Sequence, residues 1–272
     1  MKHLLVIFCV ILRGCAFAQV LWPVGKDPGL GVYSHHFQQV FATVQHPAAL
    51  AWQGSFTAGI YAERRFMLEA TNAYAAAIAL PAGPGGFGLN MQHFGYSDYR
   101  EQQVGFGYGR HLGKLVDIGL QVDYFVKSIA GYGQAAVTTF NGGVMVHISP
   151  QVHVGVDVFN PVRKRLYKLG EEQLAAMCTV GAGYEASQWY VSAVATATAG
   201  QPLLTRVACT YVLVKQLALE AGIATNAQYN FAGVSLRLSH LRIDVAGSYH
   251  PQLGITPAAT LIWRGTPRDA TP

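Results

Sequence analysis

Alternation of apolar residues with small or polar ones, repeated along most of the chain, restricts this sequence more than any other feature. Val116, Ile118, Leu120, Val122, Tyr124 and Val126 fall on one parity, with Asp117, Gly119, Gln121, Asp123 and Lys127 on the other. A period of two is the signature of an extended strand with unlike faces. After Pro150 the same order returns, with Val152, Val154, Val156 and Val158 set against Gln151, His153, Gly155 and Asp157. Val234, Leu236 and Leu238 are followed by Leu241, Ile243 and Val245, and the one-residue phase change across Ser239-His240 predicts a tight hairpin turn.

Weaker segments of the same kind lie near residues 55–63, 72–80, 85–96, 101–110, 134–148, 173–184, 188–198, 203–214, 216–224 and 252–264, which makes about fourteen strands. No helical pattern separates them, which excludes a parallel α/β sheet. The chain is 51% hydrophobic and only 12% charged, against about 25% charged in an ordinary soluble domain. No mature segment offers the roughly 20 apolar residues of a membrane helix. Apolar surface divided among many short strands reconciles the two facts, and the expected fold is all-β: a transmembrane antiparallel β-barrel.

Connections at one end of the expected barrel are short or tightly turned, as at Pro81-Ala82-Gly83-Pro84, Leu112-Gly113-Lys114, Ser149-Pro150, Ala186-Ser187, Lys215 and Ser239-His240, and those at the other are generally longer and more polar. This asymmetry predicts periplasmic short turns and periplasmic termini. Aromatics including Tyr61, Phe94, Tyr124, Trp189, Tyr211 and Trp263 are expected near strand ends or on the outer face, at headgroup level. Many inward positions are glycine, among them Gly105, Gly107, Gly109, Gly119, Gly155, Gly181, Gly183, Gly222 and Gly233. Such a lumen has room for an inserted segment, and residues 19–54 are the candidate plug.

Residues 1–18 read as a secretory signal: Lys2 and His3, the apolar Leu4 to Leu12, then Ala16-Phe17-Ala18 before Gln19. A second reading takes Leu12-Arg13-Gly14-Cys15 as a lipoprotein box with Cys15 acylated, against which Arg13 counts. The barrel then occupies 55–264, with a tail at 265–272. Cys178 and Cys209 share the outward parity and read as small lipid-facing hydrophobes rather than a disulfide scaffold. The net charge of +5 comes from scattered basic residues, with only Arg163-Lys164-Arg165 clustered, which argues against nucleic acid as a partner.

The segment His46-Pro47-Ala48-Ala49-Leu50-Ala51-Trp52 resembles the Asn-Pro-Ala-Gly-Leu-Ala sequence that precedes the first strand in the FadL-like outer-membrane superfamily. Gly85 to Asn90, Phe94 to Tyr99, Phe159-Asn160-Pro161, Gly183 to Ser187 and Ser248 to Gly254 extend the likeness. Within the superfamily the chain looks most like the PorV/PorQ-like branch. That resemblance implies a fourteen-stranded barrel of the outer membrane of a diderm bacterium, associated with type IX secretion. His46 replaces the usual Asn, and the motif positions carried over are His46, Pro47, Ala48, Leu50 and Ala51.

Asp117, Asp123, Asp157, Arg206, Glu220, Arg237, Arg242 and Asp244 are the expected lumen-lining ionisable residues. Mixed signs in a narrow lumen are expected to pair, because an unpaired charge there is costly. His153, Gly155 and Asp157 share a face, but the mature chain contains no HExxH, Gly-x-Ser-x-Gly, cysteine-pair or phosphate-loop motif. His35-His36 is the only adjacent histidine pair, and no third ligand stands at local spacing. No catalytic, cofactor or metal site is therefore expected, and an outer-membrane enzyme is only a distant alternative. The leading expectation is a secretion accessory or scaffold that contacts lipid and secretion-system proteins. The alternative is a FadL-like channel for a hydrophobic or small solute.

Overall fold

An isolated strand leaves rows of N–H and C=O groups on its edges, and in a bilayer each must find a partner within the protein. Closing the sheet removes the edges. The computed structural model describes residues 26, 30–163, 165–166, 172–225 and 230–266. Its strands are β1 (Thr57–Arg64), β2 (Asn72–Ala82), β3 (Gly85–Gly95), β4 (Tyr99–Leu112), β5 (Val116–Ile129), β6 (Gly133–His147) and β7 (Val152–Phe159), then β10 (Met177–Glu185), β11 (Trp189–Thr198), β12 (Leu204–Val214), β13 (Leu217–Ala224), β14 (Phe231–Leu238), β15 (Leu241–His250) and β16 (Gly254–Arg264). These fourteen form one closed antiparallel barrel, sealed by β1 and β16 from Thr57↔Arg264 to Glu63↔Ala258. Each strand pairs with its sequence neighbours, except that β7 and β10 pair across a separate small hairpin, β8 (Arg165–Leu166) and β9 (Glu172–Gln173). The closed antiparallel all-β barrel predicted from alternation is the fold observed.

Burial follows the alternation. On β5, Leu120, Val122 and Tyr124 are exposed while Asp117, Gln121 and Asp123 are buried. Phe106, Ile223 and Val245 each expose more than half their surface on other strands, which suits a wall whose solvent is hydrocarbon. Cys178 and Cys209 are half-buried free thiols on the outward parity. Two aromatics correct the expected belt: Tyr61 is 5% exposed inside the barrel, and Phe94 packs inward on an apolar cluster. That cluster, Phe125, Ala135, Val137, Phe159, Leu174 and Met177, lies toward the loop end.

Connections at the short-turn end have two to four residues. At Ser239-His240 the predicted two-residue hairpin closes on Leu238↔Leu241, with Ser239 in the left-handed region at φ 48°. The opposite connections range from three residues to the seventeen between β7 and β10, and three of them are no longer than three. The length asymmetry is thus narrower than expected, because β4, β5 and β6 extend into segments read as loop.

The described residues before β1, Lys26 and 30–56, pack inside the barrel. Among them are a helical turn, α1 (Ala42–Gln45), and a 3₁₀ turn, Pro47–Trp52, the latter packed on β3, β4, β5 and β6. The expected signal peptide at 1–18 and the tail from 267 onward fall outside the described residues.

Candidate functional site: the plugged lumen

Small residues on the wall let the plug approach. A Cβ at Gly119 would stand 2.2 Å from the Pro47 carbonyl carbon, one at Gly143 2.6 Å from His46 Cε1, and one at Gly181 2.2 Å from Tyr33 Cε2. Glycine is the side chain that leaves room at these approaches. Other inward glycines have different neighbours: Gly105 faces the Asn90, Gln121 and Asp123 side chains, and Gly222 lies against the Phe231 ring.

The motif residues His46, Pro47, Ala48, Leu50 and Ala51 are all buried. Leu50 fills the space over Gly88 and Gly107, and its neighbours Val40, Phe41, Tyr61, Ala77, Ala79, Ala258 and Ile262 form an apolar seam between plug and wall. His46 accepts the Ala49 amide at its carbonyl and donates its own amide to Ala42, which fixes the sharp step from α1 into the 3₁₀ turn. Its ring meets Tyr33 edge-on at 5.9 Å, and burial lowers its pKa to about 4, so the imidazole is neutral.

Two polar clusters fasten the plug. In the first, Lys26 Nζ lies 2.9 Å from Glu220 Oε2 and 2.5 Å from Asp244 Oδ2. Arg242 completes the cluster with 2.6 Å to Glu220 Oε1 and 2.8 Å to Asp244 Oδ1. Two cations balance two carboxylates, which is how buried charge is tolerated. Arg237 is near enough to interact with Glu220, Arg242 and Asp244.

The second cluster lies toward the short-turn end. Asp117 on β5 accepts from the Trp52 indole, and its oxygens lie 2.6 Å from His111 Nδ1 and 2.7 Å from His147 Nε2. Glu185 on β10 accepts from Ser34 Oγ and from the backbone amides of His35 and His36, the latter two at 3.0 and 3.3 Å. It also lies 3.0 Å from His36 Nδ1 and 3.5 Å from His153 Nε2. The His35 ring stacks on Trp52 at 3.5 Å. Burial, then the neighbouring His153 and His147, lower the His35 pKa to about 4.

The predicted lumen residues therefore divide. Glu220, Arg242 and Asp244 are brought together with Lys26, and Asp117 joins the histidines. Asp123 accepts from Gln103 at 2.9 Å and Gln121 at 2.7 Å, near Asp157. Arg206 is buried on the inner parity of β12. His35 has no third ligand at local spacing, but the fold brings ring nitrogens of the distant His147 and His153 to it from β6 and β7. Their signal was present in the hairpin register, where His147↔His153 and His111↔Asp117 are cross-strand pairs flanking short turns. Lys26, Trp52 and Glu185 were also missed, because their partners lie at long sequence separation.

The third feature is a cavity of about 750 Å³ along β16, β1, β2, β3, β4 and β5. Outward-facing Ile60, Tyr74, Met91, Val104 and Tyr124 line it together with inward-facing Tyr61, Ala75 and Gln103. Tyr61 belongs also to the plug seam, with its ring 6.2 Å from Phe41, so it stands between cavity and plug.

No protein-family model matches the sequence, and no curated protein matches it. Solved structures do. The Ralstonia pickettii toluene transporter TbuX superposes with a TM-score of 0.62 at 11% identity, covering 90% of this chain and 99% of that one. The monoaromatic hydrocarbon channel CymD gives 0.66 at 12% identity, with 93% and 98% covered. A Pseudomonas aeruginosa FadL homologue gives 0.59 at 10% identity, with 91% and 98% covered. The chain has the fold of the FadL-like outer-membrane barrels.

Proposed function

We propose that this chain is an outer-membrane conduit for a small hydrophobic solute, with the segment before β1 as its plug and the short-turn end facing the periplasm. The cavity carries the reading: its volume falls in the range of about 300–1,000 Å³ typical of ligand sites, and its lining combines lipid-facing and lumen-facing side chains. A solute dissolved in the membrane would find an apolar recess in the wall, with Tyr61 and the plug at its inner limit. The names of the similar structures, a toluene transporter and a monoaromatic hydrocarbon channel, make small aromatic hydrocarbons the first class to test.

The secretion-scaffold expectation came from the PorV/PorQ-like resemblance, which none of the similar structures named above carries in its description. Buried Phe125, Val137, Met145, Phe159, Tyr190 and Phe231 give the interior the apolar surface that favours a conduit. The test is uptake of radiolabelled toluene by intact cells of a Gram-negative host carrying the barrel. Uptake should exceed that of vector-only cells and fall at least fivefold in Ala75→Trp, which fills the recess. Equal uptake with and without the barrel, at verified surface expression, overturns the conduit.

A further inference from the structure

We propose that His35, His147 and His153 form a binding site for a divalent transition-metal ion of the imidazole-preferring kind, such as Zn²⁺, Ni²⁺ or Cu²⁺, which pins the plug to the barrel wall. The three imidazoles come from the plug, β6 and β7, and their ligand nitrogens lie within 4.8 Å of one another. His35 Nε2 is 3.3 Å from His147 Nδ1, and His147 Nδ1 is 2.8 Å from His153 Nδ1. Nitrogens bound at 2.0–2.1 Å to a tetrahedral ion stand about 3.3 Å apart. The first pair already has that spacing, and the second reaches it by opening about half an ångström.

Protonation logic makes the convergence specific. His147 Nε2 lies 2.7 Å from Asp117 Oδ2, and a carboxylate only accepts, so that nitrogen carries the hydrogen and Nδ1 the lone pair. His153 Nε2 faces Glu185 Oε1 at 3.5 Å with the same consequence. In the tautomer with the His153 hydrogen on Nε2, two lone pairs face each other at 2.8 Å, an arrangement that a positive species between them stabilises. A shared proton would satisfy two nitrogens. The third imidazole, held by stacking on Trp52 and by the Glu185 contact to the His35 amide, suits a metal ion instead. Carboxylates on the far side of ligating histidines are the usual outer shell of such sites, and Asp117 and Glu185 together balance a dication. Imidazole nitrogen selects zinc, copper and nickel over calcium or magnesium.

The outer-shell carboxylate Glu185 is reached from outside. Adjoining Glu185 is a recess of about 480 Å³ at the short-turn end, bordered by His36, Pro150, Gln151 and Ser187. The His36 side chain is 81% exposed there.

The experiment uses the full mature chain, purified without a histidine tag, stripped with EDTA and titrated with Zn²⁺ by calorimetry. Heat-modifiable gel mobility verifies folding of every variant. One equivalent of Zn²⁺ should bind, with affinity lowered at least tenfold in each of His35→Gln, His147→Gln and His153→Gln and unchanged in His240→Gln, at an exposed turn. Absence of saturable binding, or binding that survives the triple substitution, overturns the site. Binding lost in His147→Gln and His153→Gln but kept in His35→Gln overturns the link between plug and wall.

Discussion

Trp52, at the end of the plug's 3₁₀ turn, donates its indole N–H to Asp117, a carboxylate shared with His111 and His147 on the flanking strands. One wall residue thus terminates three hydrogen-bonding groups. Asp117→Ala strands them in a space where an unsatisfied group costs about 1–3 kcal/mol. The variant should keep its barrel, since backbone ladders hold β4, β5 and β6, yet lose plug retention. Single-channel recordings should show larger and more frequent openings than wild type, and unchanged recordings would refute the role given to this contact.

Lys26 reaches Glu220 and Asp244, the latter 218 positions away, in a cluster that Arg242 completes. Removing one partner of a buried ion pair costs about 3–5 kcal/mol, because the remaining charge is left uncompensated. Lys26→Met should therefore destabilise more than the double variant Lys26→Met/Glu220→Gln, in which the charge count is again even. Urea midpoints read by gel mobility test this order, and a double variant less stable than the single would contradict it.

The wall was legible in the sequence because a strand's parity is a local property. Every barrel strand lay within a few residues of its expected place, and Asp117, Asp123 and Asp244 are buried as their parity required. Phe125 shares the buried parity of Asp117 and Asp123 without a polar group to mark it, and Tyr61 shares the odd parity of buried Glu63, which overrides the general preference of aromatics for the lipid belt. What could not be read was convergence. Nothing local joins Ser34 to Glu185 or Trp52 to Asp117, since the plug's path through the lumen depends on closure of the whole ring.

Leu120 and Gln121 are adjacent on β5 and face opposite solvents: Leu120 is 58% exposed and Gln121 2%. An arginine on the lipid face near the midplane costs about 2–4 kcal/mol. Leu120→Arg should lower the free energy of unfolding in lipid vesicles by that amount. In detergent micelles, where the headgroup region is closer, the loss should be smaller. Equal losses in both would argue against a hydrocarbon contact at Leu120.

His46 supplies a pH dependence whose sign follows from its burial. Its pKa is about 4 in the docked plug, against about 6.5 in water. Burial is the leading cause and Asp117 opposes it. A released plug therefore binds more protons than a docked one between those values. Docking is at full strength above about pH 6.5, weakens as pH falls toward 4, and changes no further from this residue below that. The full loss is on the order of 3 kcal/mol at about 1.36 kcal/mol per unit. Wild-type conductance in planar bilayers should rise between pH 6.5 and 4.5, and in His46→Asn this dependence should be reduced. A wild-type trace flat across this window would remove His46 as the responsible group.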